Sequence, residues 1–576
     1  MKAIAIRRRA CETDVRAWPA AVHPVLARIY AARGLAADAA LDPKLSHLAD
    51  PSTLGGLDRA CELLLDAIDR DRRICIVGDF DADGATGTAV AVRGLRLLGA
   101  RDVGYRVPNR FTHGYGLSPG LVDDLAADAP DLLVTVDNGI ACHAGVAAAR
   151  ERGMQVIVTD HHLPGAALPA ADAIVNPNVA GDGFPSKAIA GVGVMFYLLL
   201  ALRARLRAAG RFAGGAEPDL SVLLDLVALG TVADLVALDA NNRVLVAAGL
   251  RRIRAGRACA GISALCRVAG RETARLIASD FAFALAPRIN AAGRLDDMRL
   301  GIECLVTDDV VRANELADQL SAINAQRQDM QAAMVEQGEA IVAAFIAEHG
   351  DEAFPHGVVL YQQDWHAGVV GLVASKLKER LHRPVVAFAP AGDDSEELRG
   401  SARSIAGFHL RDALAEVDVR CPGMIARFGG HAMAAGLSLA ARHLAAFAAE
   451  FDAVARGRLD AELLEHVMWS DGELGAADLC FELATALRFG GPWGQAFAEP
   501  AFDNVFRVES WRLVGEKHLQ LRLVVDGAVE VLEAIMFNAL EYLPPPERLR
   551  ALYHLDVDTW NGRDRLRLLV RHFEAA

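Results

Sequence analysis

Between about residue 72 and residue 240, short apolar runs alternate with longer stretches of helical spacing. The runs Ile74–Val77, Leu132–Val136, Val156–Val158 and Ala173–Val175 are too short for helices and almost wholly apolar. That is the pattern of strands buried on both faces of a sheet. Ala- and Leu-rich segments such as Thr86–Leu98 lie between them, so the alternation predicts βαβ units and a parallel sheet.

The pattern changes on either side. Residues 1–70 read as helical, with apolar residues at helical spacing through Val25–Ala32 and a stop at Gly34. Residues 240–350 are mainly helical. Ala313 to about Ala347 contains no Pro and one Gly, Gly338, and carries charges throughout, which predicts a long connecting helix. A second α/β segment begins at Val358–Tyr361, continues through a strand at Pro384–Phe388 and includes a mobile loop at Ala391–Glu397. From about residue 500 the runs Arg512–Val514, Leu519–Val525, Val529–Phe537 and Leu566–Val570, broken by Gly515, Gly527 and Asn561-Gly562, predict a small β-barrel.

At 576 residues the chain exceeds one core and implies about three or four domains. The net charge of −14 argues against a protein that coats nucleic acid non-specifically, but leaves room for a local basic channel. Basic residues are nearly all Arg, a bias of genome composition first and of phosphate recognition second. Nine Cys without a C-x-x-C pair suggest free thiols in a reducing cytoplasm. No secretory signal is read at the N-terminus, and the longest apolar run, Val192–Leu202, is too short to span a bilayer.

The strand ends carry the chemistry. Asp79, Asp81 and Asp83 follow Ile74–Val77, Asp137 follows Leu132–Val136, and Asp160-His161-His162 follow Val156–Val158. Three strands ending in carboxylates and imidazoles describe a metal site at the carboxyl edge of a parallel sheet, where open α/β sheets bind ligands. Read as an extended strand, Asp81 and Asp83 point the same way and share one ion. The D-x-D-x-D-G string also opens a calcium loop, but the position that needs Glu is Val90. A fourth candidate is Asp234, after the apolar Leu223–Leu229. Several Asp with one or two His suit Mn²⁺ or Mg²⁺ better than structural zinc. Two such ions, roughly 3.5–4 Å apart, are the apparatus of phosphoryl hydrolysis.

This order of motifs resembles the DHH phosphoesterase superfamily. Further blocks are similar to its single-strand-specific 5′-exonuclease branch: Pro108-Asn109-Arg110 with Gly114-Tyr115-Gly116-Leu117, Ala190-Gly191-Val192-Gly193, Pro287-Arg288-Ile289-Asn290-Ala291-Ala292-Gly293-Arg294, Ser401-Ala402-Arg403-Ser404-Ile405 and Gly429-Gly430-His431. The resemblance covers roughly residues 50–570. It implies an α/β multidomain protein: an N-terminal helical segment (1–70), a DHH parallel-sheet catalytic domain (71–305), a connecting helix (306–350), a DHH-associated α/β domain (351–460) and a C-terminal OB-like barrel that binds single strands (461–576). It implies two ions, Mn²⁺ or Mg²⁺, held by Asp81, Asp83, Asp137, His161 and Asp234, with Asp137 bridging and His162 against the scissile phosphate as an acid. Asp79 and Asp160 either ligate or orient a ligand; the two roles are not separated.

The resemblance also places Arg110, Arg288, Asn290, Arg294, Ser401, Arg403, Gly429, Gly430 and His431 on the phosphate or sugar of the strand. Gly-Gly-His alone reads equally as a tight turn. Trp511, His518 and Trp560 are stacking candidates or core. One departure is the turn Phe489-Gly490-Gly491-Pro492-Trp493-Gly494-Gln495, where the family usually has an Asn in a PFGxGN-like string. The implied function is 5′–3′ exonucleolytic hydrolysis of single-stranded DNA to mononucleotides in recombination and repair. The strand threads a cleft between the two α/β lobes, and the enzyme is a cytoplasmic monomer working beside a helicase and a single-strand-binding protein. The rivals are a phosphodiesterase on short oligonucleotides or cyclic dinucleotides, and a DNA-binding scaffold with a decayed site.

Overall fold

The computed structural model describes residues 4–10, 18–35, 37, 43–109, 112–392, 395–560 and 563–576. The chain divides into two compact units, Met1–Arg8 with Ala325–Trp469, and Arg9–Asn324 with Ser470–Ala576. These units cut across the five expected segments. The barrel shares a unit with the residues of the metal motifs, and the long helix, Val310–His349, contributes to both units.

The N-terminal segment is not purely helical. Strand β1 (Ala5–Arg8) precedes the helices Pro24–Ala32 and Leu57–Asp69. Four residues carry too little periodicity to announce a strand; a pairing partner more than four hundred positions away makes it one.

The parallel sheet is as expected, with one strand more. β2 (Ile74–Val77), β3 (Val103–Arg106), β4 (Leu132–Val136), β5 (Gln155–Thr159) and β6 (Ala173–Val175) lie in the order β3-β2-β4-β5-β6, all parallel. β2 and β4 are buried at every position, which explains their unbroken apolar runs. β3, Val-Gly-Tyr-Arg, is an edge strand with exposed positions and no such run. The chain leaves β2 for β3 on one side and returns to β4 on the other. The carboxyl edge between β2 and β4 is therefore the topological switch point, the place where such sheets bind ligands.

The second α/β sheet comprises β7 (Val358–Tyr361), β8 (Val385–Pro390), β9 (Glu397–Arg403), β10 (Ile425–Gly430) and β11 (Ala434–Ala440), in the order β10-β11-β9-β8-β7. Only β7 and β8 run parallel. The expected loop 391–397 ends where β9 begins, and its residues 393 and 394 lie outside the described residues. β12 (Val467–Ser470) pairs with β1.

The C-terminal strands β13 (Phe502–Val514), β14 (His518–Val525), β15 (Leu532–Met536), β16 (Arg548–Trp560) and β17 (Arg563–Ala575) close a barrel in the order β13-β14-β15-β17-β16. β15 pairs with β17 in parallel and every other pair is antiparallel, as in an OB-fold. No described helix is long and apolar enough to cross a membrane.

Candidate metal centre

Strand β2 stops at Val77, and the helix Ala82–Leu97 starts four residues after Gly78. Asp81 caps that helix, its carboxylate accepting from the Gly84 N–H at 3.0 Å. Asp83 lies in the first turn. The reading of Asp81 and Asp83 as neighbours on an extended strand is therefore corrected: the alternation rule of strands does not apply across a strand-to-helix turn. Asp83 is buried, and its two oxygens accept from the amides of Gly191 (2.7 Å) and Val192 (2.9 Å). Those amides open the helix Gly191–Ala208, whose N-cap residue, Ala190, supplies no side-chain acceptor. Asp83 thus satisfies orphan donors of a helix more than one hundred positions away.

Asp137 leaves β4 with φ of +63°, a conformation an L residue adopts only under constraint. The Tyr115 hydroxyl donates to its carbonyl at 3.1 Å. Gly191 packs directly on it, since a Cβ there would lie 2.5 Å from Asp137 Cβ. After β5, Asp160 is buried and fully engaged. Its Oδ1 accepts from the amides of His161 (2.7 Å) and His162 (3.0 Å) and lies 2.7 Å from His162 Nδ1, while its Oδ2 accepts from the Ile140 N–H at 2.9 Å. The carbonyls of the two histidines accept from Asn178 Nδ2 and Asn176 Nδ2. These two asparagines went unread in the sequence; the signal was Asn176-Pro177-Asn178 directly after β6. Asp234 ends the helix Leu224–Ala233. A carboxylate there faces the negative end of the helix dipole, which a nearby cation would relieve.

These side chains converge. His161 Nε2 lies 3.1 Å from Asp137 Oδ1 and 3.5 Å from Asp234 Oδ2. Among the described residues, three groups have donor atoms within 4.8 Å of one another: Asp137 with His161 and His162, Asp83 with His161 and Asp234, and Asp79 with Asp81 and Asp137. Asp81 and Asp83 fall in different groups, whereas Asp137 and His161 each belong to two.

The electrostatics favour a cation at this place. Burial, then the Asp83 and Asp81 charges, push Asp137 well above the usual carboxylate range. Burial and the same two neighbours raise Asp234. Asp83 is pushed up to about 7 by burial and Asp81. Burial would raise Asp160 as well, but its hydrogen bond and ion pair with His162 outweigh it and hold the carboxyl low. Burial works against the charged form of His162, yet Asp160 prevails and lifts the imidazole to about 9. Asp137 Oδ1 is buried and accepts no hydrogen bond among the described residues, an arrangement that a bound cation would complete. An oxygen-rich set with one or two imidazoles fits Mn²⁺ or Mg²⁺.

The expected phosphate contacts divide. Arg110 lies outside the described residues. Asn290 Oδ1 accepts from the Ala82 N–H at 2.8 Å, which ties the helix Ala286–Leu295, bearing Arg288, Asn290 and Arg294, to the metal loop. The Arg288 guanidinium donates to the carbonyls of Ala284 and of Val268. In the other unit Ser401, Gly436 and Gly429 lie in register across β9, β11 and β10, and Arg403 Nη1 donates to Ser401 Oγ at 3.0 Å. Gly430 ends β10, and the His431 N–H donates to Ala434 O across the turn. On the barrel Trp511 is 44% exposed, so it is not core. His518 meets Phe537 edge-on at 5.0 Å. The side chain of Trp560 lies outside the described residues.

Comparison with known proteins agrees with this organisation. Residues 73–231 match the DHH family, N-terminal domain, residues 355–457 the DHHA1 domain, and residues 470–572 the RecJ OB domain. The chain is 52% identical over 571 residues to the single-stranded-DNA-specific exonuclease RecJ of Dickeya dadantii, covering 98% of each. Two solved structures of RecJ from Thermus thermophilus are similar to it. The complex with Mn²⁺ has a TM-score of 0.81 at 32% identity, covering 99% of this chain and 79% of that one. The complex with Mg²⁺ has a TM-score of 0.76 at 30% identity, covering 99% and 78%.

Proposed function

This chain belongs to the RecJ family of single-stranded-DNA-specific exonucleases, and from that premise we propose that it hydrolyses single-stranded DNA from the 5′ end, releasing mononucleotides, with Mn²⁺ or Mg²⁺ at the centre built around Asp137. The observation that carries the reading is the convergence of Asp79, Asp81, Asp83, Asp137, His161, His162 and Asp234 into overlapping donor groups at the switch point of the sheet. Asp137 and His161 each belong to two of these groups; the Asp137 carboxylate, with two oxygens, would help hold both ions, whereas the single ring nitrogen that His161 turns to the centre would hold one.

When bound, the ions supply Lewis-acid stabilisation of the phosphoryl oxygens and acidify the attacking water. The chain's own residues do the rest. Asp83 locks the metal loop to the start of the Gly191–Ala208 helix. Asp160 orients both histidines and, as the hydrogen-bond partner of His162 Nδ1, favours its protonated form, from which His162 would pass a proton to the departing 3′ oxygen. Arg110, Arg288, Asn290, Arg294, Ser401, Arg403, Gly429, Gly430 and His431 hold the phosphates and sugars of the strand. Exposed Trp511 on the barrel offers a face on which any unpaired base stacks.

The setting we propose is recombination and DNA repair in the cytoplasm, as a monomer beside a helicase and a single-strand-binding protein. The test is digestion of one long single strand labelled at its 5′ end or at its 3′ end, with Mn²⁺, with Mg²⁺ and with neither. Release of labelled mononucleotide first from the 5′-labelled strand, only with metal, is expected. First release from the 3′ label would overturn the polarity, hydrolysis confined to dinucleotides would favour a short-oligonucleotide phosphodiesterase, and binding without hydrolysis would leave a scaffold.

A further inference from the structure

In the unit that carries the metal centre, a cavity of about 500 Å³ opens between the segment that follows Asp234 and the turn beginning at Arg488. Its lining is unusual for a solvent-facing surface. Leu235, next to Asp234, has φ of +59° and is 65% exposed. A leucine held in the left-handed region is strained, and such strain collects at functional sites. Phe283 sits in a single π-helical turn, Phe281–Leu285, and is 82% exposed. Turns of this kind also recur at functional sites. Phe489 is 40% exposed and carries the Arg254 guanidinium 5.0 Å from its ring centre.

The charge is one-sided. Among the described residues, Arg251, Arg254 and Arg488 line the cavity against one carboxylate, Glu499. Arg254 is held below its ordinary pKa by burial and, next, by the Arg488 charge. Arg488 has a partial counter-ion in Asp556, at 3.6 Å. Arg254 Nε donates to the carbonyl of Leu276 at 2.8 Å. Exposed rings beside three lining cations suit a ligand that is flat, apolar on its faces and anionic along its backbone.

The cavity is continuous with the metal centre by chain. Leu235 adjoins Asp234, whose carboxylate lies 3.5 Å from His161. Phe283 precedes the Ala286–Leu295 helix, whose Asn290 holds the Ala82 amide. We propose that this cavity is a strand-binding subsite of the exonuclease, taking an unpaired nucleobase against Phe283, Leu235 and Phe489 and backbone phosphate on Arg254 and Arg488. The proposal rests on the exonuclease reading above and adds a place where the strand is gripped away from the reacting phosphate.

The test uses the full-length protein in chelator, where no hydrolysis occurs. Binding of fluorescent single strands of about 20 nucleotides is followed by anisotropy, and one abasic nucleotide is moved stepwise along the strand. Wild type should lose affinity at one register, by roughly 5- to 100-fold for a stacked base. Phe283→Ala should lose a similar factor on the intact strand and nothing more at that register. Because Phe283 is exposed, its removal leaves the core intact, and an unchanged thermal melt checks this. As a second variant, Arg254→Gln should weaken all strands alike and flatten the salt dependence. Phe283→Ala binding every strand as wild type does would overturn the subsite and assign the cavity to another ligand, such as an acidic, apolar segment of a protein partner. So would equal extra losses at every register. Wild type failing to cut single strands in Mn²⁺ would overturn the exonuclease reading instead, while the binding scan still decides the subsite.

Discussion

One oxygen of Asp160 lies 2.7 Å from His162 Nδ1 and also accepts the amide protons of His161 and His162. A single buried carboxylate therefore sets the backbone turn that aims His161 at Asp137 and fixes the ring of its neighbour. Removing its charge while keeping its shape separates these effects. Asp160→Asn should retain the fold and lower activity by about 10–100-fold, the usual cost of losing a carboxylate that orients an active-site imidazole. His162 would lose the interaction that lifts it to about 9, so the alkaline limb of the pH–rate profile should move to lower pH. A profile that keeps its alkaline limb would show that His162 does not carry the proton.

Metal binding should stabilise the fold, because the donor groups exist only in the folded chain. Mn²⁺ at about 100 times its dissociation constant should add about 2.7 kcal/mol, read as a rise in Tm. Asp137→Asn should abolish most of that rise, since Asp137 belongs to two of the three donor groups. A variant with the full wild-type shift would displace Asp137 from the centre.

The metal-free protein should weaken as pH climbs. Asp83 titrates near 7 in the folded state, against about 3.9 in an unfolded chain. Between those values the folded state binds more protons, so this contribution is present below about pH 4 and lost as pH rises through 7. Asp137 and Asp234 move in the same direction. In chelator, Tm should thus be lower at pH 8 than at pH 5, and Mn²⁺ should reverse the order. Metal binding at pH 6 should release protons, measurable by calorimetry in buffers of different ionisation enthalpy. No proton release would mean that the carboxylates are already ionised.

Gly191→Ala tests the packing behind Asp137. The added methyl would lie 2.5 Å from Asp137 Cβ and 2.8 Å from its Cα, so backbone must shift. A loss of about 1–3 kcal/mol in urea unfolding is expected for such overpacking, with weaker Mn²⁺ affinity. Unchanged metal affinity would mean that the position of Asp137 is not set from this side.

Trp511→Ala should weaken binding of long single strands by about 1–3 kcal/mol, the usual worth of a base stacked on an aromatic ring. Titration of labelled strands in chelator measures it. Equal affinity in the variant would remove Trp511 from the strand's path.

The architecture of the catalytic half was legible because its strands are buried on both faces. Ile74–Val77 and Leu132–Val136 have no solvent side, so burial alone writes them as apolar runs, and the metal-binding side chains follow at their ends. β3, β9 and β1 left no such mark, because edge and half-exposed strands are specified by their partners. The barrel was legible from its spacing, but its membership of the catalytic unit was not, since docking depends on contacts between residues far apart in the chain.

Burial and spacing along the chain are enough to bring carboxylates and imidazoles to the carboxyl edge of the sheet and to point to divalent cations, and the order of those motifs carries the resemblance to the DHH family. Tertiary structure alone decided how the donors are divided. Asp81 and Asp83 part company because a helix begins between them and the amides of Gly191 and Val192 claim Asp83. Asp160 gathers the amides of His161 and His162 together with the His162 ring. Local periodicity records which face is buried; it cannot record which distant amide, carbonyl or ring will meet a side chain, because that is settled only when the elements pack.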